Sequence, residues 1–438
     1  MDELLDNRTL GELGRRLDSS SGSLAQNVPG KCRVGQSTVA RRWEMLNVAP
    51  EIRAVLTNSE SLEQAACYRR NIENFIGTIK LPLGLAGPLR INGLFAHGDY
   101  YVPLATTEAT LVASYSRGAQ LISEAGGCSA MLISEGVSRA PGFVFANLRE
   151  AGLFIAWAAS HFDEFKREAE ATTRYGKLID MKIEIEGNHV YLIFEFTTGD
   201  ASGQNMVTIA TEAICSYIRD RAPVKPRYAF LEANLSGDKK ATAQSFLSVR
   251  GKKVTAESTL PASLVEKYLH ASPGKIADYW RLSAIGTVLS GAIGAQGHYA
   301  NGLAALYIAC GQDVACVAES AIGVTRFELT PAGDLYASVT LPNLIVGTVG
   351  GGTALPSQHA CLEIMGLAGP GKAKALAEVC AALCLAGELS ITGALCADDF
   401  ARAHRCLARA SAAASAHTRS LHCVAAGDGA RNEGSSNL

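Results

Sequence analysis

The clearest pattern along the chain lies between Lys182 and Phe196, where Ile183 and Ile185, then Val190, Leu192, Phe194 and Phe196, alternate with polar positions. A period of two marks strands with one buried face. The Gly187-Asn188 step interrupts it as a two-residue turn does, so the segment is expected to form a β-hairpin. Before it, Asp163–Ala171 is charged and helical in pattern, following an apolar run at Phe154–Trp157. After it, Asp200 stands where it can cap a helix with an apolar face of Met206, Ile209, Ala210, Ala213, Ile214 and Tyr217. Helix, hairpin and helix in succession suggest a small α+β module from Arg149 to about Phe230.

Long segments rich in Ala, Gly and Leu flank that module. Beyond Leu264 the pattern is mostly helical, with glycine-dense interruptions at Gly286–Gly297 and Gly347–Gly352. Lys372–Leu395 reads as one or two long, buried helices. The expected architecture is therefore α+β: a large helical domain over 41–145 and 231–400, with a small domain over 146–230 inserted in it. Residues 1–40 form a polar arm with Ser19–Ser23 reading SSSGS and one short helix around Leu10–Leu17. Residues 401–438 make a terminal segment poor in large apolar side chains. No internal repeat is visible.

Composition narrows the function classes. The chain has 438 residues, more than one core usually holds, and 48% of them are apolar. A formal charge of -2 gives no reason to expect a nucleic acid or an anionic membrane as partner. Twelve cysteines include no CxxC pair, so the common zinc and redox spacings are missing and no metal site is expected. Cys380 and Cys384 share one helical face in an apolar stretch and read as buried thiols. The N-terminus lacks the basic start and apolar core of a secretory signal. No uninterrupted apolar run reaches the ~18 residues of a spanning helix. A cytoplasmic protein with reduced thiols is the expectation.

Four ionisable positions stand out, each of which taken singly also describes an ordinary solvated side chain. Glu108 ends Pro103-Leu-Ala-Thr-Thr-Glu108 ahead of Leu111 and Val112, and apolar neighbours favour the protonated acid. Gly237-Asp-Lys-Lys240 sets a lysine beside an aspartate, where it can stabilise an oxyanion. Asp313 closes Cys310-Gly-Gln-Asp313 at the end of the apolar run Leu303–Ala309, and an acid there needs a partner or a proton. His404 lies in an Arg-bearing stretch and has the proton affinity suited to transfer. The run Gly347-Thr-Val-Gly-Gly-Gly-Thr353 lacks GxGxxG spacing, so a Rossmann domain is not predicted.

Together these segments resemble the 3-hydroxy-3-methylglutaryl-coenzyme A reductases, in order, from about Arg42 to Ser411. The motifs are Glu73-Asn-Phe-Ile-Gly77 with Pro82 and Ala86-Gly-Pro-Leu89, then Pro103–Glu108 with Leu111-Val-Ala-Ser114. Thr198-Gly-Asp-Ala201, Gly203-Gln-Asn-Met206, Asp238-Lys-Lys240, Ala309–Asp313 and Gly347–Thr353 follow. The match is closer to the class I catalytic core, without the membrane anchor some members carry, than to class II. The resemblance implies a large domain binding coenzyme A and the acyl group, and a ferredoxin-like, non-Rossmann insert binding NADPH, with NADH as the lesser option.

It also implies roles. Glu108, Lys239, Asp313 and His404 would be catalytic: Lys239 stabilises the thioester oxyanion, Asp313 holds Lys239 and sets a like charge against Glu108, the proton donor, and His404 traps the departing thiolate. Arg139 would pair with the substrate's free carboxylate, with Lys240 as a second cation. Asn234, Ser114, Arg117, His298 and Asn301 match further acyl-CoA positions. Asp200, Ser202, Gln204 and Asn205 open the helix that receives the dinucleotide, and Arg174 and Arg409 match basic positions near the adenosine phosphate. The active site would form between subunits, with a homodimer as the minimum unit and tetramers common.

Several positions depart from the pattern. Ala109 stands for glycine, Ser202 for a larger apolar residue, Glu232 for a substrate-binding serine, and Leu407 for a second histidine. Trp280-Arg-Leu-Ser283 lacks the expected lysine, with Arg281 a near neighbour and Leu282 beside it, and Lys240-Ala-Thr-Ala-Gln244 lacks a proline and an asparagine. Three alternatives follow: NAD-linked oxidation of mevalonate, reduction of a related 3-hydroxyacyl thioester, and a non-catalytic paralogue, which four matched ionisable groups argue against.

Overall fold

A computed structural model describes residue 12 and residues 25–30, 33–57, 59–248 and 250–397. The short helix expected around Leu10–Leu17 lies outside the described residues except for Glu12, and the segment holding His404 and Arg409 lies outside them altogether. The chain divides into two compact units, 1–80 and 81–438. In the first, helices α1 (Gln36–Leu46), α2 (Pro50–Leu56), α3 (Ser59–Glu63) and α4 (Ala65–Tyr68) accompany a small core of Val34, Val39, Trp43, Ala65 and Phe75. Buried Arg42 is held there by the carbonyls of Pro29 and Phe75.

The second unit mixes helices with one ten-stranded sheet. Its strands are β1 (Leu83–Gly93), β2 (His97–Ala105), β3 (Cys128–Arg139), β4 (Gly142–Val144), β5 (Lys177–Glu186), β6 (His189–Thr197), β7 (Tyr228–Phe230), β8 (Gly251–Leu260), β9 (Val324–Leu329) and β10 (Leu335–Leu344). The path runs β7-β4-β6-β3-β8-β10-β9, with β1 on β2 and β3, and β5 on β6. Helices α5 (Leu111–Glu124), α6 (Leu148–Ser160), α7 (Phe162–Glu170), α8 (Gln204–Arg221), α9 (Ala262–Leu269), α10 (Pro273–Ser290), α11 (Tyr299–Ala309), α12 (Val317–Ser320), α13 (Pro356–Ile364) and α14 (Ala373–Cys396) complete it.

The hairpin forms as its alternation requires. Strands β5 and β6 meet through Glu186 and His189 across Gly187-Asn188, with Gly187 at φ 57°, where a Cβ would be strained. Helix α8 forms too, but its buried face is Val207, Ala210, Thr211, Ile214, Cys215 and Ile218, and Ile209 is exposed. The face is turned from the expected one because Met206 lies against the Gly176 turn rather than inward.

The large region is not chiefly helical as expected: β1, β2, β3, β8, β9 and β10 run through it. In β8, Val254, Ala256, Ser258 and Leu260 are buried at every second position, and in β10 so are Leu335, Ala337, Val339 and Leu341. Alanine and serine on the inward face blur the contrast on which the period-two reading depends. Strand β3 carries the chain between two cores. Its Ser129–Gly136 stretch pairs with β8, and Val137–Arg139 pairs with β6. A core of Phe143, Phe154, Phe165, Phe194 and Ile214, among others, belongs to residues 137–222. The larger core gathers around α14.

Helix α14 is long and apolar enough to cross a membrane by length and composition, yet it is almost wholly buried inside the protein. Its two buried acids are satisfied by backbone amides, as burial of charge requires. Glu378 accepts from the N–H groups of Phe95, Ala96 and Leu132 at 2.8, 2.7 and 3.2 Å. Glu388 accepts from Gly297 and His298 N–H at 2.7 and 2.8 Å and from the Thr325 hydroxyl at 2.8 Å. Burial also pushes the Cys380 thiol up to about 12. Helix α5 approaches α14 so closely at Gly118 that an added Cβ would lie 1.9 Å from the Ala386 carbonyl oxygen. Neither backbone can retreat from a packed core. Gly118→Ala is expected to lower the unfolding free energy by about 1–3 kcal/mol, read from denaturant unfolding curves.

Candidate active site

The sequence-predicted residues fall into two groups. The first lines a cavity of about 580 Å³ between α5, α10, α11 and α14. Glu108, Ser114, Arg117, His298 and Asn301 all face it. The exposed Glu108 carboxylate accepts from the Asn301 amide at 3.2 and 3.4 Å. Ser114 and Arg117, one turn apart on α5, meet at Ser390 of α14: hydroxyl to hydroxyl at 2.8 Å, and guanidinium to the Ser390 hydroxyl and carbonyl at 2.8–3.1 Å. His298 stacks on Tyr115 with ring centroids 5.2 Å apart and sets Nδ1 3.3 Å from Glu388.

The second group surrounds the loop between β7 and β8. Lys239 Nζ pairs with Asp313 Oδ2 at 2.8 Å, so the acid left at the end of α11 does find its partner. Asp313 also caps the following turn through the Ala315 N–H at 3.1 Å. The Asp313 carboxylate raises the Lys239 pKa above its ordinary value, against the smaller effect of partial burial. Lys240 turns its ammonium back to the Asp238 carbonyl at 2.8 Å, and Asn234 is exposed with φ 63°.

Behind Lys239 lies a cluster of charges that sequence reasoning missed. Arg250, its side chain 2% exposed, donates to Glu319 at 2.8 Å, to Asp238 at 2.6 Å, to Gln204 at 2.7 Å and to the Ser138 carbonyl at 2.7 Å. Burial raises the Glu319 pKa, partly offset by Arg250. Asp238 is pushed up by burial too, but Arg250 and Arg139 outweigh this and leave it below the usual carboxylate range. The available signal was Glu319 itself, an acid within the apolar run Val317–Ile322 that had to have a partner.

Arg139 was expected to meet a ligand carboxylate. It already carries two from the protein, Asp238 at 2.9 Å and Glu232 at 3.3 Å, and its side chain is 7% exposed. Glu232 Oε2 also accepts from Ser236 at 2.9 Å, while Oε1 is buried without a hydrogen-bond partner. Arg281 is paired with Asp278 one turn away on α10.

The expected dinucleotide residues lie at the start of α8, with one correction. The Asp200 side chain does not cap α8. It accepts from Gly371 and Ala373 N–H at 2.7 and 3.1 Å, holding the start of α14. The N-cap of α8 is Gly203, with no side-chain cap, so the first-turn amides keep no partner of that kind. Gln204 joins Arg250 as above, and Asn205 is exposed. The chain at Gly347 passes so close that a Cβ there would lie 2.5 Å from Ser202 N and 2.8 Å from the Asp200 carbonyl oxygen. Exposed Arg174 sits in the Thr173–Gly176 turn, which abuts Met206 in the first turn of α8. His404, Leu407 and Arg409 lie outside the described residues.

Fold and site define a mixed helix-and-sheet protein with a lysine–aspartate centre and a cavity edged by a carboxylate. The family described as Hydroxymethylglutaryl-coenzyme A reductase matches residues 38–409. The 3-hydroxy-3-methylglutaryl-coenzyme A reductase of Pyrococcus horikoshii is 47% identical over 357 residues, 80% of this chain and 86% of the relative. That of Aeropyrum pernix is 40% identical over 412 residues, 91% and 97% of the two chains. The class II reductase from Streptococcus pneumoniae, solved bound to NADPH in open conformations, superposes with a TM-score of 0.60 at 21% identity, over 82% of this chain and 96% of that one, a likeness of fold. The chain belongs to the hydroxymethylglutaryl-coenzyme A reductase family.

The ion pair at Lys239 carries a titration with a definite sign. Asp313 keeps the ammonium charged as pH rises through the ordinary lysine value of 10.5, and its contribution is lost only above the raised value. Asp313→Asn is expected to move the Lys239 midpoint down toward 10.5, followed by the 13C resonance of its Cε carbon.

Proposed function

We propose that the protein reduces 3-hydroxy-3-methylglutaryl-CoA to mevalonate and free CoA with NADPH, in two successive two-electron steps, and so serves the mevalonate route to isoprenoids. The observation that carries this reading is the Lys239–Asp313 pair: a charged ammonium, fixed at 2.8 Å by a carboxylate, in a family that must stabilise a thioester oxyanion. When bound, the dinucleotide supplies hydride. Lys239 stabilises the negative charge that grows on the thioester oxygen, and Asp313 keeps that lysine charged and oriented. Glu108 donates the proton to the product oxygen, positioned through Asn301. His404 protonates the leaving thiolate, whose ordinary pKa of about 8.5 lies above that of histidine, about 6.5.

The residues present suit the dinucleotide's anionic groups. The start of α8 is free of a side-chain cap, and Arg174 stands on the adjoining turn, a pairing that favours phosphate. In this reading residues 146–230 form a ferredoxin-like dinucleotide domain, which the separate core of residues 137–222 supports. The large domain holds the acyl-CoA in the cavity with Ser114, Arg117 and His298. The site is completed by a second subunit: one chain supplies Glu108, the other Lys239 and Asp313. One observation supports a homodimer: helix α10 exposes Leu282, Ile285, Val288 and Leu289, an apolar stripe of the kind that subunit interfaces cover.

The test follows absorbance of the reduced cofactor with the hydroxymethylglutaryl thioester, NADPH and NADH in parallel, with thiol release. Two NADPH oxidised per thiol, faster than with NADH, is the expected result. Oxidation with NADH alone would move the protein to mevalonate catabolism, and none with either would sink the reading. Lys239→Ala is expected to lower kcat by about 100–1000-fold. Co-expressed Glu108→Gln and Lys239→Ala chains should regain about a quarter of wild-type activity, because half the dimers are mixed and each mixed dimer holds one intact site.

A second reading, reduction of a related 3-hydroxyacyl thioester, is favoured by the Glu232 carboxylate on Arg139. A substrate carboxylate must displace or join it. Glu232→Ser is expected to lower KM for the hydroxymethylglutaryl thioester by about fivefold, equivalent to ~1 kcal/mol. A wild-type enzyme that prefers a thioester without the carboxylate would favour the second reading.

A further inference from the structure

Lys239 is a non-glycine residue with φ 56°, in the left-handed region where a side chain is strained and which persists only when its surroundings hold it there. Its backbone N–H donates to Glu319 Oε1 at 3.1 Å. Glu319 is fully buried, and its other oxygen accepts from Arg250 Nε at 2.8 Å. Arg250 in turn holds Asp238, the residue before Lys239, at 2.6 Å, and Asp238 accepts from Arg139 through its second oxygen at 2.9 Å. The lysine is thus fixed at both ends, its amide by Glu319 and its ammonium by Asp313.

Neither Glu319 nor Arg250 has a part in the chemistry assigned above, and neither borders the cavity at Glu108. A buried ion pair is a poor device for stability alone, since apolar side chains of similar volume often serve as well. What this pair secures is geometry, because a carboxylate oxygen braced by a guanidinium is a fixed acceptor for one particular amide. We propose that Glu319 is a positioning residue: held by Arg250, it accepts the Lys239 N–H and keeps that residue in the left-handed conformation that aims its ammonium at Asp313. Without that acceptor, residue 239 relaxes to negative φ and the ammonium leaves the position from which it meets the oxyanion. The proposal rests on the reading of Lys239 as the oxyanion-stabilising residue. The same guanidinium reaches Gln204, so the clamp also ties the lysine loop to the start of α8.

The test compares full-length wild type, Glu319→Ala, Glu319→Gln and Lys239→Ala for kcat and KM toward both substrates, with folded content checked by circular dichroism. Glutamine keeps an oxygen that can accept the N–H, and alanine does not. Glu319→Ala is expected to lose about 10–100-fold in kcat, the cost of displacing a catalytic group by a fraction of an ångström to one ångström, with both KM values within about threefold of wild type. Glu319→Gln should recover most of that loss. If Glu319→Ala does not fold, the double variant Arg250→Met with Glu319→Leu removes both buried charges together and is expected to fold with a kcat deficit of at least that size, since the hold on Asp238 is lost as well. Wild-type kcat in a folded Glu319→Ala or in the double variant, or a glutamine variant no better than alanine, overturns the positioning role. Wild-type kcat in Lys239→Ala overturns the reading of Lys239, and the positioning role with it. Loss in Lys239→Ala beside full kcat in Glu319→Ala overturns the positioning role alone.

Discussion

The guanidinium of Arg250 is the point on which the site turns. It is almost inaccessible to water, and a buried charge there is tolerable only because four separate groups accept its hydrogen bonds. Those acceptors come from four parts of the chain: Ser138 near the end of β3, Gln204 at the start of α8, Asp238 in the lysine loop and Glu319 on α12. The backbone N–H of Arg250 meets a fifth, Asn343 of β10, at 2.9 Å. Meeting the needs of one buried cation therefore fixes the end of the strand shared by both cores, the helix proposed to receive the dinucleotide, and the loop that presents Lys239. A loop with two non-glycine residues at positive φ, Asn234 and Lys239, has no regular hydrogen-bond ladder of its own and depends on such external anchors.

Helix α14 plays the corresponding part on the cavity side. Its composition suits a membrane, but Glu378 and Glu388 make it a core helix by accepting amides from the surrounding loops and from β3. The bonds from Gly297 and His298 to Glu388 set the turn that enters α11, and with it His298 and Asn301 on the cavity wall. Ser390, two residues beyond Glu388, gathers the polar Ser114 and Arg117 of α5 on the same wall. Small residues at Gly118 and Gly387 let the two helices come close enough for this to happen. The cavity is thus edged by polar groups whose positions are set by an apolar helix.

Local patterns were read with success wherever contrast between neighbours was strong. The hairpin at Lys182–Phe196, the charged helix after Phe154–Trp157 and the long buried helix near the C-terminus each show in one stretch of chain. Strands β8 and β10 escaped because alanine, serine and threonine occupy both of their faces, and β1 because Gly87 and Pro88 interrupt it at an irregular register. The face of α8 was misjudged by a residue, since Met206 and Ile209 are as apolar as Val207 and Ile218 and only packing selects between them. Asp200 sat before a helix and was read as its cap, while in three dimensions another helix start, at Ala373, lies nearer.

By itself the sequence determined the local elements with clean periodicity, the ionisable residues at Glu108, Lys239 and Asp313, and, through motif order, the family. Those depend on side-chain identity and on spacing of a few residues, which a linear chain displays. The tertiary structure alone decided that Asp200 holds the start of α14 rather than capping α8, that Arg139 is already engaged by Glu232 and Asp238, and that Glu319 stands behind the Lys239 amide. Contacts of this kind join residues many tens of positions apart. Which opposite charges meet is settled by the requirement that every buried polar group be satisfied at once, a condition on the whole packed chain that no local stretch of it records.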